Sequence, residues 1–236
     1  MTDPVLERVF DATARWYAVA GRFARHFARG KLAGDPVFAE ILRRGLIPDG
    51  TRLLDLGCGQ GILLTLLVAA RDQHRAGTWP AGWPPPPARF ALHGIEFLAK
   101  DVERGNLALG GEGAVERADL RTAPLPPGDV VVMMDVLHYL EPDAQDRLLG
   151  RIVQALGPRG LFLTRVGDPS AGLAAAFTWG LDQAVAFARG QGLHRFHRRT
   201  IAEWRDALER HGLAVTAEPM IGGRLFANVL LMGRKR

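Results

Sequence analysis

The sequence contains little cysteine and no long uninterrupted apolar run. Among its 236 residues there is one cysteine, Cys58, and a single cysteine cannot form an internal disulfide. No stretch of about 18 uninterrupted apolar residues occurs, so no membrane span is predicted. The first residues, MTDPVLERVF, carry acids early and lack the apolar segment of a signal peptide. These absences favour a cytoplasmic protein.

Lysine is also scarce. It occurs only at Lys31, Lys100 and Lys235, so arginine supplies nearly all the positive charge behind the net +5. The chain is rich in alanine, glycine, leucine and proline, a bias typical of a GC-rich genome that encodes arginine where others encode lysine. A basic balance can indicate nucleic-acid binding. Here the composition explains the charge, so a nucleic-acid partner is disfavoured.

Apolar spacing predicts alternating strands and helices after a helical N-terminal section. Residues 4–29 have helical spacing that ends at Gly30 and Gly34, and Asp35-Pro36 is a typical start for a helix over 35–44. Strands are predicted at 51–56, 90–95, 114–119, 129–134, 160–166, 213–218 and 225–232. Helices are predicted at 62–71, 97–108, 143–156, 171–189 and 200–211. Such alternation predicts a parallel sheet covered by helices on both faces.

A glycine-rich turn, Gly57–Gly61, follows the first strand and opens a helix. In open α/β sheets ligands bind at the carboxyl ends of the strands, and this turn lies at such an end. Ile62 stands where the dinucleotide fingerprint requires glycine, and no P-loop motif occurs in the chain. Asp55, two residues before the first glycine, would repel a pyrophosphate but attract an ammonium group. The turn therefore favours a ligand with an ammonium group and no phosphate.

The segment LLDLGCGQG resembles the first motif of class I S-adenosylmethionine-dependent methyltransferases. The resemblance implies that Asp55 holds the methionine ammonium group, directly or through water. It also implies that the turn residues Gly57, Cys58, Gly59 and Gly61 line the cofactor with backbone. S-adenosyl-L-homocysteine would be the product. The same residues also fit a tight strand–helix turn without a ligand.

The resemblance also implies a fold. We expect a three-layer αβα Rossmann-like sheet of seven strands, mostly parallel with an antiparallel last strand, and an N-terminal helical cap. The chain is expected to be a single methyltransferase domain over 1–236. Within it, 1–48 would form the cap, 49–168 the cofactor-binding half, and 169–236 the acceptor-side helices and closing strands. The proline-rich stretch at 80–87 is expected to be a surface excursion between the first two strands.

Further cofactor contacts are implied at the ends of the later strands. Glu96 ends the second strand, where family members use an acid to hold both ribose hydroxyls, and Phe97 would pack beside the adenosine. Asp119 would accept from the adenine amino group, with Leu120 flanking the base. Asp135, after the fourth strand, would point toward the cofactor. The alternatives are an ordinary surface glutamate at Glu96 and a core aromatic at Phe97.

His138 and Tyr139 are the candidate catalytic residues. Imidazole titrates near neutral pH, so His138 would deprotonate an acceptor, while Tyr139 would line its pocket. A structural histidine is the alternative. Methyl transfer from a sulfonium is an in-line displacement that depends mainly on alignment, so a base is required only for a protonated nucleophile. No metal role is predicted.

The acceptor is predicted to be a small molecule methylated on oxygen or carbon, such as an aromatic, polyketide-like or lipid-like metabolite. The motif D/N-P-P-Y/F is absent after the fourth strand, which disfavours adenine-N6 and glutamine methylation. The lone Cys58 excludes the two-cysteine cytosine mechanism. Two alternatives remain: an rRNA or tRNA methyltransferase, and a non-catalytic S-adenosylmethionine-binding protein. The basic cluster His194–Arg199 would clamp an acidic partner such as an acyl carrier protein, or would form a solvated loop.

Overall fold

The computed structural model describes residues 3–167, 196–220 and 228–236. Seven strands lie within these residues: β1 Thr51–Leu56, β2 Phe90–Glu96, β3 Ala114–Arg117, β4 Gly128–Met134, β5 Leu156–Gly167, β6 Leu213–Pro219 and β7 Asn228–Lys235. They form one sheet in the order β3-β2-β1-β4-β5-β7-β6. The last strand, β7, runs antiparallel to both β5 and β6. The predicted Rossmann-like α/β fold is therefore confirmed.

The chain divides into two compact units, residues 1–123 and 124–236, called here the N-terminal and C-terminal units. The helices of the N-terminal unit are α1 Pro4–Trp16, α2 Arg22–Gly34, α3 Pro36–Arg43, α4 Ile62–Arg75 and α5 Ala99–Leu109. Those described in the C-terminal unit are α6 Pro142–Ala155 and α7 Ile201–Arg210. None of the described helices is long and apolar enough to cross a membrane.

The N-terminal unit is built around three parallel strands. β1 pairs with β2 in a register that sets Asp55 opposite Gly94, and β2 pairs with β3. Every residue of helix α4 from Ile62 to Ala70 is buried, and all of them except Thr65 are apolar. Burial on all sides explains why this part of the helix lacks the polar stripe of a surface helix. The first two strands thus bring the glycine turn and Glu96 to one edge.

The N-terminal helical section is interrupted where the sequence pattern predicts one run. A short 3-10 turn, Tyr17–Ala20, follows α1, and Gly21 then takes a φ of 98° that no helix accommodates. Conversely, α2 continues through Gly30 to Gly34, because Ala24, Ala28 and Leu32 bury its inner face. The prediction of a single helix over residues 4–29 was wrong in both respects.

The remaining elements follow the prediction with shifted ends. Asp35 caps α3, and Thr200 and Glu203 form the predicted capping box of α7. α4 runs on to Arg75 and β3 stops at Arg117, so the predicted bounds were wrong there. β5 begins directly after α6, at Leu156 instead of the predicted residue 160. Its pairing with β4 shifts register between Gly128 and Val130. The predicted helix at 171–189 and residues 225–227 of the last strand lie outside the described residues.

Candidate cofactor and acceptor residues

The glycine turn links β1 to α4 through left-handed backbone. Gly57, Gly59 and Gly61 have φ angles of 70°, 57° and 72°, a region that side chains disfavour. At Gly61 a Cβ would meet only ordinary contacts, so its backbone angle, rather than a lack of space, requires glycine there. The Gly57 amide donates to the Ile95 carbonyl at 2.7 Å, which fixes the turn against β2. This conformation agrees with the sequence interpretation of the turn.

Asp55 lies near the end of β1, and only 5% of its surface is exposed. Burial, and to a lesser extent the charge of Glu96, raise the pKa of Asp55 to about 7. Both effects act in the same direction, and no described residue forms an ion pair with this carboxylate. Asp55 is therefore an acid whose negative charge lacks a partner within the described chain. A cationic ligand group would supply one.

Glu96 is held in one orientation by three backbone amides. Its Oε1 atom accepts from Phe97 and Leu98 at 2.9 Å each, and its Oε2 atom accepts from Gly59 at 2.9 Å. A carboxylate has about four acceptor positions, so one position on Oε2 remains. The contact with Gly59 also ties the end of β2 to the glycine turn. Binding of both ribose hydroxyls by Glu96 therefore stays a prediction. The carboxylate can accept one further hydrogen bond beside the present three.

A buried tyrosine attaches the N-terminal section to the glycine turn. The Tyr17 hydroxyl donates to the Gln60 carbonyl at 2.9 Å and lies 3.0 Å from Thr65 Oγ1. The Gln60 amide group in turn donates to the Ala24 carbonyl of α2 at 2.9 Å. Burial raises the pKa of Tyr17 above its ordinary value, so the hydroxyl keeps its proton. Sequence reasoning did not find these contacts of Tyr17 and Gln60, because contacts over more than 35 residues leave no local pattern.

The other predicted cofactor residues of this unit differ in their surroundings. Cys58 has its pKa raised by burial, and its thiol packs so closely that a Cβ on Gly94 would lie 2.6 Å from Sγ. Phe97 is 56% exposed, so it is not the core aromatic of the alternative interpretation. Asp119 lies in the loop after β3, where it accepts from Arg121 through both oxygens. Leu120 beside it is buried.

The C-terminal unit holds Asp135, the first residue after β4. Asp135 has a φ of 58°, and Arg165 of β5 donates to both of its carboxylate oxygens, with 2.8 Å from Nε to Oδ1. Arg165 is buried, and this pair places a counter-charge beside its guanidinium. An arginine among the apolar residues of GLFLTRV was a signal for such a partner, and sequence reasoning did not use it.

His138 lies in an aromatic cluster with Tyr139 and Phe196, with ring centroids 4.5 Å and 5.0 Å from its own. Burial lowers the pKa of His138 to about 4, and Arg198 adds to this effect while Asp135 opposes it. The Nε2 atom is buried and has no hydrogen-bond partner among the described residues. Gln145 fixes the backbone around the cluster by donating to the Leu137, Leu140 and His197 carbonyls.

The basic cluster His194–Arg199 is only partly described, since His194 and Arg195 lie outside the described residues. Arg199 donates to Asp146 at 2.9 Å and stacks over Trp204 of α7. This arginine therefore anchors the start of α7 to α6, and it is not available as a clamp for a partner. Docking of an acyl carrier protein at the cluster stays a prediction. Among the described residues there is no group of acids, histidines and cysteines that could hold a metal ion.

Solved structures with similar folds include an S-adenosylmethionine-dependent methyltransferase from Mesorhizobium loti, 22% identical, with a TM-score of 0.59 over 85% of this chain and 96% of that one. Another is magnesium protoporphyrin IX methyltransferase from Synechocystis PCC 6803 with bound S-adenosylhomocysteine. It is 17% identical, with a TM-score of 0.59 over 94% and 93% of the two chains. At these identities the likeness shows the fold, which is that of class I methyltransferases.

The methyltransferase domain family matches residues 24–218, so the chain belongs to this family. The resemblance carried by LLDLGCGQG is thereby confirmed, and S-adenosylmethionine is the cofactor of the class. Three curated relatives are carboxy-S-adenosyl-L-methionine synthases. That of Shewanella amazonensis is 28% identical over 156 residues, which is 65% of this chain and 59% of that protein. The chain spans only about half the length of these relatives, 45% to 59%.

Proposed function

We propose that this chain transfers the methyl group of S-adenosylmethionine to the oxygen or carbon of a small-molecule acceptor. The observation that carries the proposal is the buried carboxylate of Asp55 beside the glycine turn, which has no counter-charge in the described chain. An α-ammonium group placed there relieves the burial cost and the repulsion from Glu96. A phosphate-bearing cofactor would add a further negative charge to the same place.

The bound cofactor supplies a methyl group on a positively charged sulfur. The carbon–sulfur bond breaks as the acceptor–carbon bond forms, S-adenosylhomocysteine leaves as a neutral thioether, and a protonated acceptor gives up its proton. The proposed role of the N-terminal unit is to bind and orient. Asp55 attracts the ammonium group, the remaining Oε2 position of Glu96 accepts one ribose hydroxyl, and Tyr17 holds Gln60 in the turn. Such alignment is the main requirement of the reaction.

His138 and Tyr139 are proposed to contact the acceptor. An imidazole with a pKa near 4 stays neutral at physiological pH and takes up a proton weakly. We therefore assign His138 the role of a hydrogen-bonding group, and the acceptor proton passes to solvent. In this role, the pH profile of the wild type between about 5.5 and 7 should contain no inflection that depends on His138, so His138→Gln should leave the shape of the profile unchanged there. An inflection in that range lost in the variant would instead identify a general base.

Calorimetric titration tests cofactor binding. The wild type is expected to bind S-adenosylmethionine and not NADH, and Asp55→Ala is expected to lose that binding. Asp206→Ala, which removes an exposed aspartate on α7, is the matched control. Binding is then followed by measurement of S-adenosylhomocysteine release over a panel of phenols, carboxylic acids and enols. Absence of S-adenosylmethionine binding by folded protein would contradict the proposal, and binding without turnover over the panel would favour a non-catalytic binding protein.

Two further candidates have distinct signatures. An RNA methyltransferase, favoured only by the basic charge, would show affinity for RNA that falls steeply and linearly with the logarithm of salt concentration. Formation of carboxy-S-adenosylmethionine is favoured by the names of the curated relatives. Native mass spectrometry of the protein as purified from cells tests it. A bound species heavier than S-adenosylmethionine by one carboxyl group would support that activity.

A further inference from the structure

Several large apolar side chains of the N-terminal unit are exposed to solvent. In the described chain these residues are Val19, Phe23, Phe27, Phe97 and Leu107. Phe23 is 64% exposed and Phe27 is 37% exposed. The two rings are four residues apart on α2 and stack with centroids 6.1 Å apart. They form one apolar ridge, named here the Phe23–Phe27 ridge.

The orientation of the ridge is fixed by the opposite face of its helix. Ala24, Ala28 and Leu32 are fully buried at intervals of four residues, so the inner face of α2 is packed along its length. The carbonyl of Ala24 also accepts the hydrogen bond from Gln60. A rotation that hid the phenylalanines would expose these three side chains and break that bond. The ridge therefore points outward as a built feature of the fold.

Basic residues lie beside the ridge on the same helix. Helix α2 contains no acidic residue, and Arg22, Arg25 and His26 are exposed on it. Arg22 and Arg25 form no ion pair with any described residue. Arg104 of α5, which is paired with Asp101, lies over the Phe23 ring, 4.8 Å from its centroid. Apolar rings flanked by arginines are the combination found in helices that lie on anionic membranes.

A second copy of this chain fits the surface poorly. A symmetric dimer formed through α2 would place the arginines of one copy against those of the other, which costs free energy. An anionic bilayer satisfies both features together, since lipid phosphates attract the arginines and the acyl boundary accepts the phenylalanine rings. We propose that helix α2 docks the N-terminal unit on the surface of an anionic lipid bilayer. This docking is peripheral.

Sedimentation with lipid vesicles tests the proposal. The wild type is expected to pellet with vesicles of phosphatidylglycerol and phosphatidylcholine, and to remain in solution with vesicles of phosphatidylcholine alone. Phe23→Ser combined with Phe27→Ser is expected to lower partitioning about tenfold, because it removes the inserting rings. Phe23→Leu combined with Phe27→Leu keeps apolar side chains and is expected to retain most of the binding.

Two double variants that each remove two positive charges separate a local effect of α2 from an effect of net charge. Arg22→Gln with Arg25→Gln is expected to lower partitioning about tenfold or more. Arg147→Gln with Arg210→Gln removes two exposed arginines of the C-terminal unit and is expected to change it little. Melting temperature and S-adenosylmethionine affinity, measured on each variant, show whether it is folded.

The following results would overturn the proposal. One is wild-type protein that stays in solution with anionic vesicles. Another is equal loss of partitioning in both arginine pairs, which would reveal attraction by net charge alone. The third is partitioning that survives replacement of both phenylalanines by serine. Dimerisation through the ridge without vesicle binding would identify a second copy of the chain as the partner of this surface. Binding to an acidic protein without vesicle binding would identify a protein partner instead.

Discussion

Each compact unit places an aspartate at the carboxyl end of a parallel strand, and the two aspartates differ in their electrostatic surroundings. Asp55 of the N-terminal unit is buried without a cation among the described residues, beside a second acid. Asp135 of the C-terminal unit is joined to Arg165 by two hydrogen bonds. The cost of burying the Arg165 charge is therefore met within the chain by Asp135, whereas the cost of burying the Asp55 charge is left for a ligand to meet.

This difference shows that an acid at a strand end is an incomplete signal for a ligand site. Asp55 and Asp135 are the same residue type near the ends of parallel strands, and they differ in burial and in whether an arginine engages the carboxylate. Asp119 gives a third case, since Arg121 two residues later already engages its carboxylate. An acid with an intramolecular arginine has less to gain from a cationic ligand than one without. We therefore rank Asp55 above Asp135 and Asp119 as a determinant of cofactor affinity.

Removal of the Asp135 carboxylate is expected to have the largest effect. Asp135→Asn leaves the buried guanidinium of Arg165 without this counter-charge and should lower the free energy of unfolding by about 3 kcal/mol. Urea denaturation measures this loss. The double variant Arg165→Met/Asp135→Asn removes both charges and is expected to recover much of it. If the double variant is as unstable as the sum of the single ones, the pair is not coupled and the contrast with Asp55 fails.

Removal of the Asp55 charge is expected to act in two opposite directions. Asp55→Asn should weaken S-adenosylmethionine binding by about 100-fold, or about 2.7 kcal/mol, since the ammonium loses its counter-charge. The same change should stabilise the unliganded protein at pH 8. The folded-state pKa of Asp55 lies above its unfolded value, so its contribution to stability is greatest at low pH and is lost as pH rises through about 7.

Calorimetry and thermal melting of the unliganded Asp55→Asn protein check these two signs. A gain of stability on the order of 1–3 kcal/mol at pH 8, absent at pH 4, is the expected result. Asp206→Asn, exposed on α7, is the control and should change neither quantity. Loss of both binding and stability in Asp55→Asn would mean that this carboxylate is part of the structural framework rather than a group awaiting a ligand.

The two aspartates also show which features could be predicted from the sequence and which could not. Strand and helix positions are set by local spacing, so β1, β2, β4 and the capped helix α7 were predicted nearly to the residue. The glycine turn was predicted because its signal lies within nine residues. The Arg165–Asp135 pair joins residues thirty positions apart on neighbouring strands, and the Tyr17–Gln60 contact spans forty-three. Such partners depend on tertiary packing, which one sequence does not display.

Cofactor affinity is expected to depend on pH through Asp55. Below a pKa of about 7 the carboxyl group becomes neutral, so affinity for S-adenosylmethionine should fall by about tenfold per pH unit between pH 7 and 5. Calorimetric titration across this range measures the slope. Asp55→Asn has no titrating group at position 55, so its affinity should change little with pH over this range. An unchanged slope in that variant would assign the titration to another group and weaken the contrast with the paired Asp135.

The smallest expected effect concerns the attachment of the helical section to the turn. Tyr17→Phe removes the hydroxyl that donates to the Gln60 carbonyl and contacts Thr65. We expect the free energy of unfolding to fall by about 1 kcal/mol, and S-adenosylmethionine affinity to fall a few-fold as the turn loosens.

Thr13→Val is the matched control. Thr13 is buried in α1, where its hydroxyl donates to the Val9 carbonyl at 2.8 Å, away from the turn. It should lose similar stability and keep full affinity. Equal affinity in both variants would show that the glycine turn and its two acids hold the cofactor without help from the N-terminal section.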